Sequence, residues 1–216
     1  MEYKFTANWF GSEEQIEDLK SVLPDSNSEI NMLEIGSYEG RSTVWFLENL
    51  LLHKNSTITC VDPWMDYSQN EKSLITYDNK DSEWKFGTNG VEEVFRYNIE
   101  SSGFSEKVII EKGLSNVILP NLITKNKEYD IIFIDGNHVA PFVLMDSVLS
   151  WNLLKPGGIL IFDDYLWMPD SYKSLTPKLA VDSFIEVFED YVEVILDKYR
   201  KAIKKKKYNT NGKRSI

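Results

Sequence analysis

The chain has 216 residues, 42% of them apolar, which is enough for a single domain built on one substantial core. A formal net charge of -10 would repel a phosphate backbone, so a general nucleic-acid binder is excluded and a small-molecule partner is expected. No basic stretch followed by an apolar run opens the sequence, no window approaches a membrane span, and the lone cysteine, Cys60, excludes an internal disulfide; a soluble, cytoplasmic protein without a membrane partner is the expectation.

In chain order, Ser12 to Leu23 reads as a short helix, with Ser12 and Gln15 spaced as a capping box and Ile16, Leu19, Val22 and Leu23 on one face before Pro24. Residues 1–28 are thus expected as an amino-terminal cap and helix. A strand over Ile30 to Ile35 runs into the turn Gly36-Ser37-Tyr38-Glu39-Gly40 and then a helix from about Arg41 to Leu52. Thr57 to Asp62 is a second strand, ending in an acid. Residues 63–89, which include Trp64, Tyr67, Tyr77, Trp84 and Phe86, exceed an ordinary connection and are expected as an insertion or lid near the site. A helix follows over Glu92 to Ser101, then a strand over Lys107 to Glu111, and a helix over Ser115 to Leu122 that Pro120 should interrupt. Asp130 to Asp135 is an apolar strand ending in a carboxylate, and Pro141 to Leu154 is a helix with proline in its first turn. After the turn Lys155 to Gly158, a strand over Gly158 to Asp164 is expected, then a last helix over Val181 to Asp190. Tyr191 to Leu196 and Tyr199 to Lys205 read as an antiparallel hairpin.

Several successive strands end in an acidic or polar group, and in open α/β sheets ligands sit beyond those carboxyl ends. The segment MLEIGSYEGRST puts an apolar strand into a turn where Gly36 and Gly40 let backbone approach a ligand. A dinucleotide fold would carry G-x-G-x-x-G here, so the spacing of Gly36 and Gly40 points to a smaller ligand. Asp62 stands where such folds hold a ribose by its hydroxyls. From Lys198 onward there are nine Lys or Arg and no acid, leaving 15 basic against 34 acidic residues in the rest of the chain. Lys204 to Lys207 reads as a solvated edge strand, with an anion-binding patch as the alternative, and residues 206–216 as a flexible basic tail.

LEIGSYEGRS, CVDPW, FIDGNH and LLKPGGILIFDDY together resemble class I S-adenosylmethionine-dependent methyltransferases, in particular the metal-dependent macrolide-sugar and catechol O-methyltransferase-like group. The resemblance covers about residues 30 to 165. It implies a Rossmann-like α/β fold, with a mostly parallel seven-stranded sheet, helices on both faces and a C-terminal antiparallel hairpin. It further implies S-adenosylmethionine as cofactor, approached by the backbone of Gly36, Ser37 and Gly40. Ser42 would hold its amino-acid end, Asp62 and Pro63 its ribose, and Gly113 and Ser115 would lie near adenine. Glu34 would orient the turn, and Tyr38 would touch the cofactor or brace the turn. Segment Phe5 to Phe10, with Trp9, would fold over the acceptor or pack on the sheet edge.

Three carboxylates, Asp135, Asp163 and Asp164, would converge if their strands are neighbours, an arrangement that is costly without a cation. Hard oxygen ligands suit Mg²⁺ first, then Mn²⁺ or Ca²⁺. The resembling enzymes bind a divalent ion with acids at these places, often with Asn at the last. The alternative is one aspartate capping a turn while its neighbour faces water. His138 would act as base, or only cap its helix, with Asp135 serving both metal and methionyl amine. The activity so implied is O-methylation of a small hydroxylated acceptor, a sugar or glycoside first and a catechol-like phenol second. A nicotinamide-dependent oxidoreductase and a non-catalytic S-adenosylmethionine-binding protein are the readings of other classes, and homo-oligomerisation stays open.

Overall fold

The computed structural model describes residues 2–64, 90–168 and 176–207. The expected insertion lies outside the described residues from 65 onward, as does the tail beyond 207. The strands are β1 Asn31–Ile35, β2 Thr57–Asp62, β3 Val108–Lys112, β4 Tyr129–Ile134, β5 Leu154–Phe162, β6 Val192–Asp197 and β7 Lys201–Lys205. The helices are α1 Glu13–Lys20, α2 Arg41–Asn49, α3 Val91–Ser102, α4 Ser115–Thr124, α5 Ala140–Leu153 and α6 Pro177–Val187. Among the described residues, no helix is long and apolar enough to cross a membrane.

All seven strands join one sheet in the order β3-β2-β1-β4-β5-β7-β6. The first five run parallel, and β7 lies antiparallel to both β5 and β6. Because side chains alternate along a strand, each buried strand feeds both faces. Leu33 and Ile35, Ile132 and Ile134, and Leu160 and Phe162 pack toward residues of α4, α5 and α6. Met32, Ile131, Phe133, Ile159 and Ile161 pack on the other face, with α2, α3, Leu19 of α1 and Phe10. The strand order reverses its direction of growth between β1 and β4, and the carboxyl ends of those two strands border the crevice where such sheets take ligands.

Several local expectations need correction. Pro120 does not interrupt α4, which continues to Thr124, because burial of Leu119 and Leu122 holds the helix across the missing N–H. The last helix starts at Pro177, whose fixed φ suits a first turn, and not at Val181. Strand β5 begins at Leu154 and stops at Phe162, so Asp163 and Asp164 lie just past its end. Lys204 to Lys207 do not form an edge: β7 is enclosed by β5 and β6. Lys205 Nζ donates to the carbonyls of Trp151 and Leu154, both at 2.8 Å, and so caps the end of α5. The Ser12 and Gln15 capping box is present, but α1 ends at Lys20, where Val22 and Leu23 close tighter turns onto Leu19 and Lys20 before Pro24.

Phe133 lies fully buried at the centre of the second face, its ring 5.2 Å from Phe46 and 6.1 Å from Phe10. Phe133→Ala should therefore cost about 3–5 kcal/mol, read as a lower denaturation midpoint in urea with an unchanged slope.

Candidate active site

The glycine turn is shaped by contacts that only glycine permits. Gly36 has φ +86°, and a Cβ there would stand 2.1 Å from the backbone oxygen of Asp135. The turn and the end of β4 are thus in direct contact: Gly36 N donates to Val61 O at 2.9 Å, and Asp135 N donates to Ile35 O at 2.8 Å. Asp62 braces the same turn. Its Oδ2 accepts the backbone N–H groups of Ser37 and Tyr38 at 2.9 and 3.0 Å, and its Oδ1 accepts that of Trp64 at 2.7 Å. Burial raises the pKa of Asp62, while those three N–H groups oppose the rise. Tyr38 braces as well, with its carbonyl accepting Trp64 Nε1 at 2.8 Å and its ring 5.2 Å from that of Trp9. The two aromatic residues at the end of the amino-terminal segment divide: Phe10 enters the core, and Trp9 stays half exposed beside the turn.

Glu34 lies wholly buried beneath the turn. Its carboxylate accepts hydroxyls from Ser37 at 2.7 Å, Ser42 at 2.6 Å and Thr43 at 2.5 Å, and Cys60 Sγ approaches to 3.5 Å. Desolvation pushes its pKa up, against the pull of these donors. Ser42, expected at the amino-acid end of a cofactor, directs its hydroxyl down to Glu34, so it tightens the turn from below. Gly113 N donates to Asp62 O at 3.0 Å, and Ser115 opens α4 beside the buried Asp146. Gly113 and Ser115 therefore lie along the same sheet end as Asp62 and Pro63.

Asp135, His138 and Asp164 each offer a ligand atom within 4.8 Å of the others. His138 Nε2 and Asp164 Oδ2 are 3.1 Å apart, and the imidazole ring is 5.1 Å from that of Trp167. The two carboxylates fit Mg²⁺ or Mn²⁺ by donor chemistry. Asp163 is not among these three groups, and its Oδ1 is held by Nε of the buried Arg200. Asp164 is held in turn by Tyr199, whose hydroxyl donates to Oδ1 at 2.8 Å. Reading the sequence missed Tyr199 and Arg200, since they belong to the distant hairpin and carry no motif; a buried acid pair in need of a counterion was the one signal for them.

Desolvation, and then the charges of Asp163, Asp164 and Glu34, push the Asp135 carboxyl far above its usual range. Desolvation pushes Asp163 up against the opposing charge of Arg200, and takes Asp146 up to about 6. A carboxyl raised by folding keeps a proton that the unfolded chain has already released, so stability falls as pH rises from the unfolded to the folded pKa. From Asp146 alone, the melting temperature of the protein without divalent cation should drop between about pH 4 and pH 6. Calorimetric melts across that range check it, and Asp146→Asn should flatten the slope.

Residues 33–165 match the family described as Methyltransferase domain. A mimivirus protein from Acanthamoeba polyphaga mimivirus, Uncharacterized protein R132, is 28% identical over 146 residues, 65% of this chain. The chain spans about half, 55%, of that relative's length. The fold is similar to that of the O-methyltransferase TomG from Streptomyces achromogenes, solved with SAM, at a TM-score of 0.63 and 16% identity over 92% of this chain and 82% of TomG. The O-methyltransferase from Bacillus cereus, in complex with SAH, aligns at a TM-score of 0.56 and 17% identity over 91% of this chain and 93% of its own. With a glycine turn, an acid after the second strand and a polar cluster at the switch of strand order, this chain belongs to the methyltransferase domain family.

Proposed function

We propose that the protein is an S-adenosylmethionine-dependent O-methyltransferase that uses a divalent cation to methylate a hydroxyl of a small acceptor, a sugar or glycoside in the first instance. The observation that carries this reading is the contact between the glycine turn at Gly36 and Asp135, which sets a cofactor cradle against a cluster of Asp135, His138 and Asp164. S-adenosylmethionine supplies an electrophilic methyl, which passes to the acceptor oxygen as its bond to sulfur breaks. Asp135 and Asp164 would hold a divalent ion, which would lower the pKa of the acceptor hydroxyl.

The chain's own residues do the rest. The backbone at Gly36 gives room for close approach, and Asp62 holds the turn that faces the ribose. His138 is oriented through Nε2 by Asp164, which leaves Nδ1 as the nitrogen that accepts the hydroxyl proton. An alcohol is a weak nucleophile and needs such a base more than a phenol does, so the histidine favours a sugar diol over a catechol. Two neighbouring oxygens on the acceptor would also fix which one reacts.

A screen of sugar nucleotides, glycosides and catechols for S-adenosylhomocysteine formation, with and without Mg²⁺, tests the proposal. His138→Ala should lower turnover by about 10²–10⁴-fold while calorimetric affinity for S-adenosylmethionine holds. Failure to bind S-adenosylmethionine at all would end the enzyme reading, and turnover insensitive to a chelator would remove the cation alone.

A further inference from the structure

The tip of the β6–β7 hairpin touches both neighbouring aspartates, and it does so with consecutive residues. Tyr199 takes Asp164 and Arg200 takes Asp163. Asp164 faces His138, whereas Asp163 turns inward to a guanidinium whose side chain is 2% exposed. Every nitrogen of that guanidinium is used: Nε on Asp163, Nη1 on the carbonyl of Gln15 at 3.0 Å, and Nη2 on that of Phe10 at 2.5 Å. Its centre also lies 5.0 Å from the Phe10 ring. A buried charge stripped of its partner costs several kcal/mol, so Arg200 and Asp163 hold each other in place.

We infer that Arg200 is a positioning residue that reserves Asp163 as its internal counterion, leaving Asp135 and Asp164 as the two carboxylates that meet the cation. The inference rests on the cation-assisted reading above. Charge supports it: Arg200 cancels Asp163, and the remaining two carboxylates balance a doubly charged ion. Geometry supports it too, since the three groups that share a 4.8 Å neighbourhood include Asp164 and exclude Asp163. Arg200 further ties the amino-terminal segment at Phe10 and Gln15 to the acid pair, and Lys198 Nζ adds a bond to Asp18 Oδ1 at 2.6 Å. The hairpin tip therefore joins the cap to the site.

The test is a titration of the full chain with Mn²⁺, following the free ion by electron paramagnetic resonance. Asp163→Asn removes one charge beside the site and should weaken binding by about tenfold, whereas Asp164→Asn loses a ligand as well and should weaken it by about tenfold more, because ligand number and charge set affinity for hard cations. Arg200→Gln frees a carboxylate beside the site and should tighten Mn²⁺ binding by about tenfold, while Arg200→Lys keeps the charge and the wild-type constant. An arginine with a merely structural role would lower the melting temperature in both variants and leave Mn²⁺ affinity alone, which would overturn the inference. Should Arg200→Gln fail to fold, the comparison of the two asparagine variants decides. Equal losses in both make Asp163 a ligand and overturn the inference by itself. No Mn²⁺ binding to the wild type overturns the cation reading and this inference together.

Discussion

The contact between Gly36 and the backbone of Asp135 is the constraint on which the rest of the site depends. Strands β1 and β4 are neighbours in space although about 100 residues of chain separate them, and their ends meet with no room for a side chain at position 36. That closeness makes one site out of two sequence motifs. It puts the glycine turn directly against the carboxylate at the end of β4.

Holding acids at such a place requires partners, and the chain supplies different ones for each. Glu34, fully buried, is satisfied by three hydroxyls and a thiol, none charged. Asp62 is satisfied by backbone N–H groups of the turn it braces. Asp163 has a buried guanidinium, and Asp164 a phenol and an imidazole. The gradient runs from neutral donors under the turn to a full positive charge behind the acid pair, and it leaves Asp135 as the acid whose raised pKa has no local donor to oppose it beyond the charge of Arg200.

The basic carboxyl-terminal stretch also acquires a structural account. In the described part, Arg200 and Lys201 are buried, Lys198 pairs with Asp18, and Lys205 and Lys206 donate to carbonyls near the ends of α5 and of the turn at Glu189. Among the described residues, much of this charge closes helix ends or enters ion pairs, as with Arg200 on Asp163 and Lys201 on Asp197, while Lys204 and Lys207 stay exposed. The amino-terminal segment is used similarly. Thr6 donates to Glu39 through its backbone N–H and its hydroxyl, Asn98 exchanges bonds with the backbone of Lys4, and Arg41 Nε donates to Ala7 O, so the segment is strapped beside the turn.

Local chemistry was enough to read the alternation of strands and helices, the glycine turn and the acids at strand ends, because each depends on residues close in the chain: short apolar runs, a capping serine, a glycine at positive φ. The motif residues Glu34, Gly36, Asp62, Asp135 and His138 were legible for the same reason. Boundaries shifted where packing outweighed a local breaker, as at Pro120, or where a proline started an element early, as at Pro177. What only the tertiary structure decided is partnership across long separations: that Ser42 serves Glu34, that β7 lies inside the sheet, and that Arg200 takes Asp163 while Tyr199 takes Asp164. A side chain's role in a buried polar cluster is set by which donors surround it once water is gone, and sequence neighbours do not carry that information.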